Sequence, residues 1–124
     1  MKFQPDSAAG VNSITRHETG RVFVGNVPFE GALLVPWVGT VQPWAVAGFE
    51  ALQPESFASL LAFKPELVVF GSGARLRFVH PRLLAGLINA GIGVETMDSG
   101  AACRTYNVLA SEGRSVLAAL LPSA

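Results

Sequence analysis

The stretch LVVFGSG, Leu67 to Gly73, decides how this chain is read. Leu67 to Phe70 form an apolar run too short for a helix and rich in Val, which reads as a buried strand. Gly71-Ser72-Gly73 breaks it at once. Glycines just past a strand let a backbone turn sharply or approach a phosphate. A dinucleotide fingerprint would need a third glycine at position 76, which is Leu76. A P-loop would need Gly-Lys-Ser/Thr, also missing. The favoured reading is therefore a strand turning a corner.

Working outward, the segments around this strand alternate in period. Pro54-Glu55-Ser56 opens a helix through about Phe63, with proline at an early position where its missing N–H costs nothing. Lys64-Pro65 ends it. Pro81 starts a second helix through Ala90, with Leu83, Leu84, Leu87 and Ile88 on one face, and Gly91 stops it. Gly93 to Met97 reads as a strand, about Ala101 to Ser111 as a third helix, and Ser115 to Leu121 as the last strand. Strands alternating with helices predict an α/β layer with crossover connections. Before residue 50 the helical period is absent. Ser13 to Glu18, Arg21 to Val24, Ala32 to Val35 and Val41 to Val46 read as short strands, with turns at Thr19-Gly20 and Gly25-Asn26.

The length, 124 residues, fits one domain, residues 1–124. Only 15% of residues are charged, below the roughly 25% of an average soluble domain, which points to a protein partner or a self-contact, as monomer or homodimer. Net charge is zero and Arg75 with Arg77 is the nearest approach to a basic cluster, so nucleic acid is excluded as a partner. One cysteine, Cys103, forbids an internal disulfide. The distant His17 and His80, without a CxxC or HxxxH pattern, argue against a metal site. The start MKFQPDSAAG reads as neither secretory signal nor transit peptide, so a cytoplasmic location is expected. Gly31 to Phe49 is uncharged but punctuated by Pro36, Gly39, Pro43 and Gly48, so no membrane insertion is expected.

A crevice is expected where the two central strands end. In open α/β sheets ligands sit beyond the carboxyl ends of strands. Gly71, Ser72, Gly73 and Arg75 would form one wall; Asp98, Ser99, Cys103, Arg104 and Asn107, from ETMDSGAACRTYN (Glu95 to Asn107), the other. The head of the third helix could hold an anion, clamped by Arg75 and Arg104. Asp98 there would instead repel an anion and cap the helix itself. Cys103 in the first turn is open to activation by the helix dipole, and Tyr106 and Asn107 share its side. No positioned base accompanies it, so a buried, inert thiol is favoured. Trp37 and Trp44 read as core rather than as an interface hot spot, and His17 as a surface residue.

Phe3–Asp6 (FQPD), Phe70–Gly73 (FGSG), Gly91–Leu109 (GIGVETMDSGAACRTYNVL) and Glu112–Leu121 (EGRSVLAALL) recur together, and the chain resembles the Mth-type domain family over nearly its whole length. The family's eukaryotic members include an assembly factor of mitochondrial respiratory complex I and an adipogenesis-associated cytoplasmic protein. The resemblance implies an α/β fold of three layers, with a central, mostly parallel mixed sheet, three helices and an N-terminal β substructure. It implies no catalytic residue and no cofactor. The family's Gly-Thr-Gly is here Gly71-Ser72-Gly73 and its Asp-Thr is Asp98-Ser99, each swap keeping a hydroxyl. The resemblance thus implies a non-enzymatic interaction or assembly module; the alternative is a small-molecule or anion-binding protein, possibly an enzyme, using the crevice.

Overall fold

The computed structural model describes residues 10–123. The Phe3–Asp6 motif and nearly all of the leading segment lie outside them. The chain begins with a meander of three antiparallel strands, β1 (Ile14–Glu18), β2 (Arg21–Val24) and β3 (Val27–Glu30). The third strand is missing from the sequence reading, because Pro28 disguises it. Proline is tolerated there because β3 is an edge strand and its residue 28 needs no N–H on the outer side.

Five further strands make the central sheet: β4 (Leu33–Pro36), β5 (Gln42–Pro43), β6 (Leu67–Gly71), β7 (Gly93–Met97) and β8 (Val116–Leu120), in the order β5-β4-β8-β6-β7. The three-layer α/β architecture holds. The sheet is only half parallel: β6 pairs parallel with β7 and β8, whereas β4 pairs antiparallel with β5 and β8. The antiparallel pairings all involve β4, from the part of the chain without helices, which a short connection and no crossover joins to β5. The expected strand Val41–Val46 shrinks to the two residues of β5, the sheet's outer edge, where Pro43 cannot donate to a ladder.

The helices are shorter than their periodicity suggests. α1 (Pro54–Ala58) passes into a 3-10 helix, Ser59–Phe63, and stops where Lys64 takes a left-handed φ of 51° before Pro65. A 3-10 turn, Pro81–Leu84, precedes α2 (Ala85–Asn89). α3 (Ser99–Ser111) starts two residues earlier than expected, because Asp98 caps it through a bond from the Ala101 N–H at 2.9 Å.

Each strand of the sheet interior is buried on both sides, which is why it reads as a continuous apolar run. Val116, Ala118 and Leu120 of β8 join Leu33, Val35 and Val69 in one core with α3 and the meander. Leu117, Ala119 and Leu121 join Leu34, Val68 and Phe70 in a second core with α1 and α2. Trp44, Phe57 and Phe70 meet edge to face in this second core, with ring centroids 5.4–6.0 Å apart.

Candidate functional site

The chain leaves β6 for α2 on one face of the sheet and leaves β7 for α3 on the other. Adjacent parallel strands whose exits part in this way define the crevice in which open α/β sheets hold ligands. The structure thus brings the Gly71–Gly73 loop and the head of α3 together at adjacent strand ends. The crevice's own residues fill it.

Ser72 donates its backbone N–H to the Met97 carbonyl at 2.8 Å. Its hydroxyl lies 2.7 Å from the Arg75 carbonyl and 3.1 Å from that of Met97, and accepts from the Arg77 N–H at 3.0 Å. Across the gap, the Ser99 hydroxyl donates to the Leu121 carbonyl at 2.6 Å and accepts from the Gly73 N–H at 2.9 Å. The Ser99 N–H returns a bond to the Gly73 carbonyl at 2.8 Å. Both serines are buried. One serine thus folds the exit loop of β6, and the other ties that loop to α3 and to the end of β8. Both hydroxyls kept in the Ser72 and Ser99 swaps serve backbone groups.

The glycines serve the same closure. A Cβ on Gly71 would lie 2.8 Å from the Ser99 oxygen, 2.9 Å from a Leu120 methyl and 3.0 Å from the Ser99 Cα. Only glycine lets these elements approach so closely. Gly73 takes a φ of 106°, open to glycine at little cost.

The remaining expected site residues separate into two shallow cavities. Ser72, Gly73 and Arg75 line one of about 370 Å³, shared with Arg77, Phe49 and Pro122. Cys103, Arg104 and Asn107 line another of about 270 Å³, between α3 and β1, with Arg16 and His17. Asp98 is engaged in capping α3. A larger groove of about 670 Å³ lies away from these residues, beside Trp44 and Phe63, with Glu55 its one charged wall residue.

Cys103, Tyr106 and Asn107 do share a side of α3, and that side faces the meander. Cys103 is 4% exposed, and burial pushes its thiol up to about 11, against a weaker downward pull from Arg104. Burial likewise raises the Tyr106 phenol, whose hydroxyl lies 2.9 Å from the Asn12 carbonyl and 3.0 Å from that of Pro36. Asn107 accepts from the Ile14 N–H at 2.9 Å and donates to the Ile14 carbonyl at 2.7 Å, as a neighbouring strand would. These groups attach β1 to α3. Asn12 adds to the seam, donating to the Pro36 and Gly39 carbonyls, as does Trp37, whose ring N–H donates to the Ala110 carbonyl at 3.1 Å. Sequence reasoning missed Asn12, since a lone Asn before a strand carries no pattern. Trp44 is core, and His17 is exposed with its ring 2.8 Å from the Ser123 hydroxyl.

Among the described residues no group of three His, Cys, Asp or Glu side chains is placed to hold a metal. No described helix is long and apolar enough to cross a membrane.

A family model described as "Protein of unknown function (DUF498/DUF598)" matches residues 14–121. The chain is 37% identical over 105 residues to the mouse protein named NADH dehydrogenase (ubiquinone) 1 alpha subcomplex assembly factor 3, a match covering 83% of this chain and 56% of that one. With the zebrafish protein of the same name the identity is 32% over 121 residues, covering 96% and 68%. The chain thus spans about half the length of the mammalian relatives first matched. A Bordetella parapertussis crystal structure superposes with a TM-score of 0.84 at 36% identity, over 94% of this chain and 99% of that one. A Bordetella pertussis solution structure, described as an Mth938-like domain, superposes at 0.75 with 32% identity, over 99% and 93%.

Proposed function

The chain belongs to the DUF498/DUF598 family of proteins of unknown function, and from that premise we propose that it works by contact with other proteins, as a non-enzymatic assembly module for a respiratory membrane complex. The observation that carries this reading is the closed crevice. At the address where an α/β sheet offers a ligand its loops and a helix head, Ser72 and Ser99 spend those groups on the fold. The names of the vertebrate relatives supply the process. In this reading the protein acts from the cytoplasm, as a monomer or homodimer, without a cofactor. A tagged copy expressed in its native cells, cross-linked and recovered with the membranes included, is expected to retain NADH dehydrogenase subunits. Recovery of none above an untagged control would overturn the assembly role.

A second reading follows from Arg75. Arg75 lines the 370 Å³ cavity beside Ser72 and Gly73 and joins no ion pair among the described residues. In this reading the cavity takes a small anion, and Arg104, across α3, belongs to a separate site. Phosphate and small carboxylates are then expected to raise the melting temperature of the wild type and not of Arg75→Ala. An identical response of the two proteins would remove this reading.

A further inference from the structure

The exit loop of β6 is folded tightly and yet turns two large apolar side chains to solvent. Phe78 is 72% exposed, the highest value among the large apolar side chains described, and Leu76 is 51% exposed. Their neighbours face the other way. Arg77 is half-buried, its guanidinium 3.9 Å from the Phe49 ring centre and paired with Glu50. Val79 packs against the second core. The Ser72 hydroxyl holds the loop's start through the Arg75 carbonyl and the Arg77 N–H. Residues 76 and 78 are presented outward by an anchored backbone. A loop that only closed a connection would gain by carrying polar residues at those two positions.

Charge around the loop is one-sided. From Leu67 to Val94 the chain has three arginines, Arg75, Arg77 and Arg82, and no Asp or Glu. The overall net charge is zero, so this is a local excess. Arg75 and Arg82 are exposed and in no ion pair among the described residues. Glu50, the carboxylate that reaches this loop, pairs with Arg77.

We propose that this loop is a membrane-surface anchor, with Phe78 and Leu76 entering the interface of an anionic bilayer while Arg75 and Arg82 lie at its headgroups. An aromatic and an aliphatic side chain beside unpaired arginines fit the two layers that such a surface offers: an apolar boundary under negative charge. The proposal needs no spanning helix and does not rest on the assembly reading, since it names a lipid and not a protein partner.

The test uses the full-length purified chain and vesicles only, so its outcome is independent of any pull-down. Co-sedimentation is measured with vesicles of phosphatidylcholine plus phosphatidylglycerol and of phosphatidylcholine alone. Binding is expected only to the anionic vesicles and to weaken at high salt. Phe78→Ser is expected to lower partitioning about tenfold, as loss of one inserted ring implies. Arg75→Gln with Arg82→Gln is expected to lower it comparably, while Leu61→Ser, on another exposed side chain, leaves it unchanged. Phe78 makes so little contact with the fold that Phe78→Ser should keep the wild-type melting temperature, which is checked in parallel. Three outcomes overturn the proposal: no binding to anionic vesicles, equal binding by Phe78→Ser, or a Phe78-dependent dimer in sedimentation equilibrium without vesicle binding.

Discussion

The two faces of the central sheet are held by different physics. On the α1/α2 face, Trp44, Phe57 and Phe70 interlock edge to face, and apolar contact is joined by one side-chain bond, from the Trp44 ring N–H to the Ser56 carbonyl at 3.2 Å. On the α3 face, apolar contact is supplemented by a seam of polar side chains, Asn12, Trp37, Tyr106 and Asn107, each bonded to backbone carbonyls or N–H groups of another element. The difference follows from what each face must cover. Helices satisfy their own backbone, so α1 and α2 need only an apolar stripe. The meander brings strand edges with unpaired backbone groups, and those require side-chain partners when they come to rest on α3.

This contrast predicts unequal costs. Phe57→Ala should have the largest effect, because the ring is fully buried and meets both other rings of the trio edge to face. A loss of about 3–5 kcal/mol is expected, read from the urea midpoint. The whole domain should unfold together. A cost below about 1 kcal/mol would mean that the apolar face collapses around the gap and does not carry the fold.

Asn107→Ala should cost less and act locally. It strands the Ile14 N–H and carbonyl in a half-buried place, a penalty of about 1–3 kcal/mol. Amide exchange should quicken in β1 and β2 more than in β6 and β8. Asn107→Asp keeps an acceptor but loses the donor and sets a charge against the Ile14 carbonyl, so it should not rescue. Uniform quickening across both sheets would show that the meander is no separate unit and that the two faces are equivalent.

Ser99→Ala tests the closed crevice and should cost about 1–2 kcal/mol by leaving the Leu121 carbonyl and the Gly73 N–H unpaired. The measurement is thermal unfolding, followed by the same scan in phosphate. A structural serine predicts destabilisation that phosphate does not reverse. Unchanged stability with a new or lost phosphate response would return Ser99 to a ligand site.

How far the sequence discloses all this also divides by face. The apolar cores were legible, since β6 and β8 announce themselves as continuous apolar runs and Leu87 by its helical spacing. That Gly71-Ser72-Gly73 and Asp98-Ser99 stand at strand exits, and so could flank one crevice, was legible too. The crevice's closure was not. A serine that could donate to a ligand is chemically identical to one that donates to the Leu121 carbonyl, 22 residues away in sequence. Only the parallel pairing of β6 with both β7 and β8 brings those atoms together. Pro28 hid β3 for a related reason: propensity describes a residue, whereas an edge position belongs to the sheet. The half-antiparallel sheet was missed because strand direction depends on connections and not on composition.

The last effect is invisible at neutral pH. Cys103 sits on the polar-seam face but is itself enclosed by apolar neighbours, and burial pushes its thiol up to about 11 from an ordinary value of 9.0. In the unfolded chain the thiol ionises first, so folding favours the protonated form. The fold therefore keeps its full stability below the ordinary thiol range and loses it as pH rises from there through about 11. The slope in that window should approach but not exceed about 1.4 kcal/mol per pH unit for this one proton. Tyr106, raised by the same burial, steepens the decline at the upper end. Urea midpoints measured across the alkaline range for wild type and Cys103→Ala separate the two, since the substitution removes only the thiol's share. Fast alkylation of the folded wild type near pH 8 would contradict the burial, place Cys103 at a surface, and leave the α3 face more open than its hydrogen bonds describe.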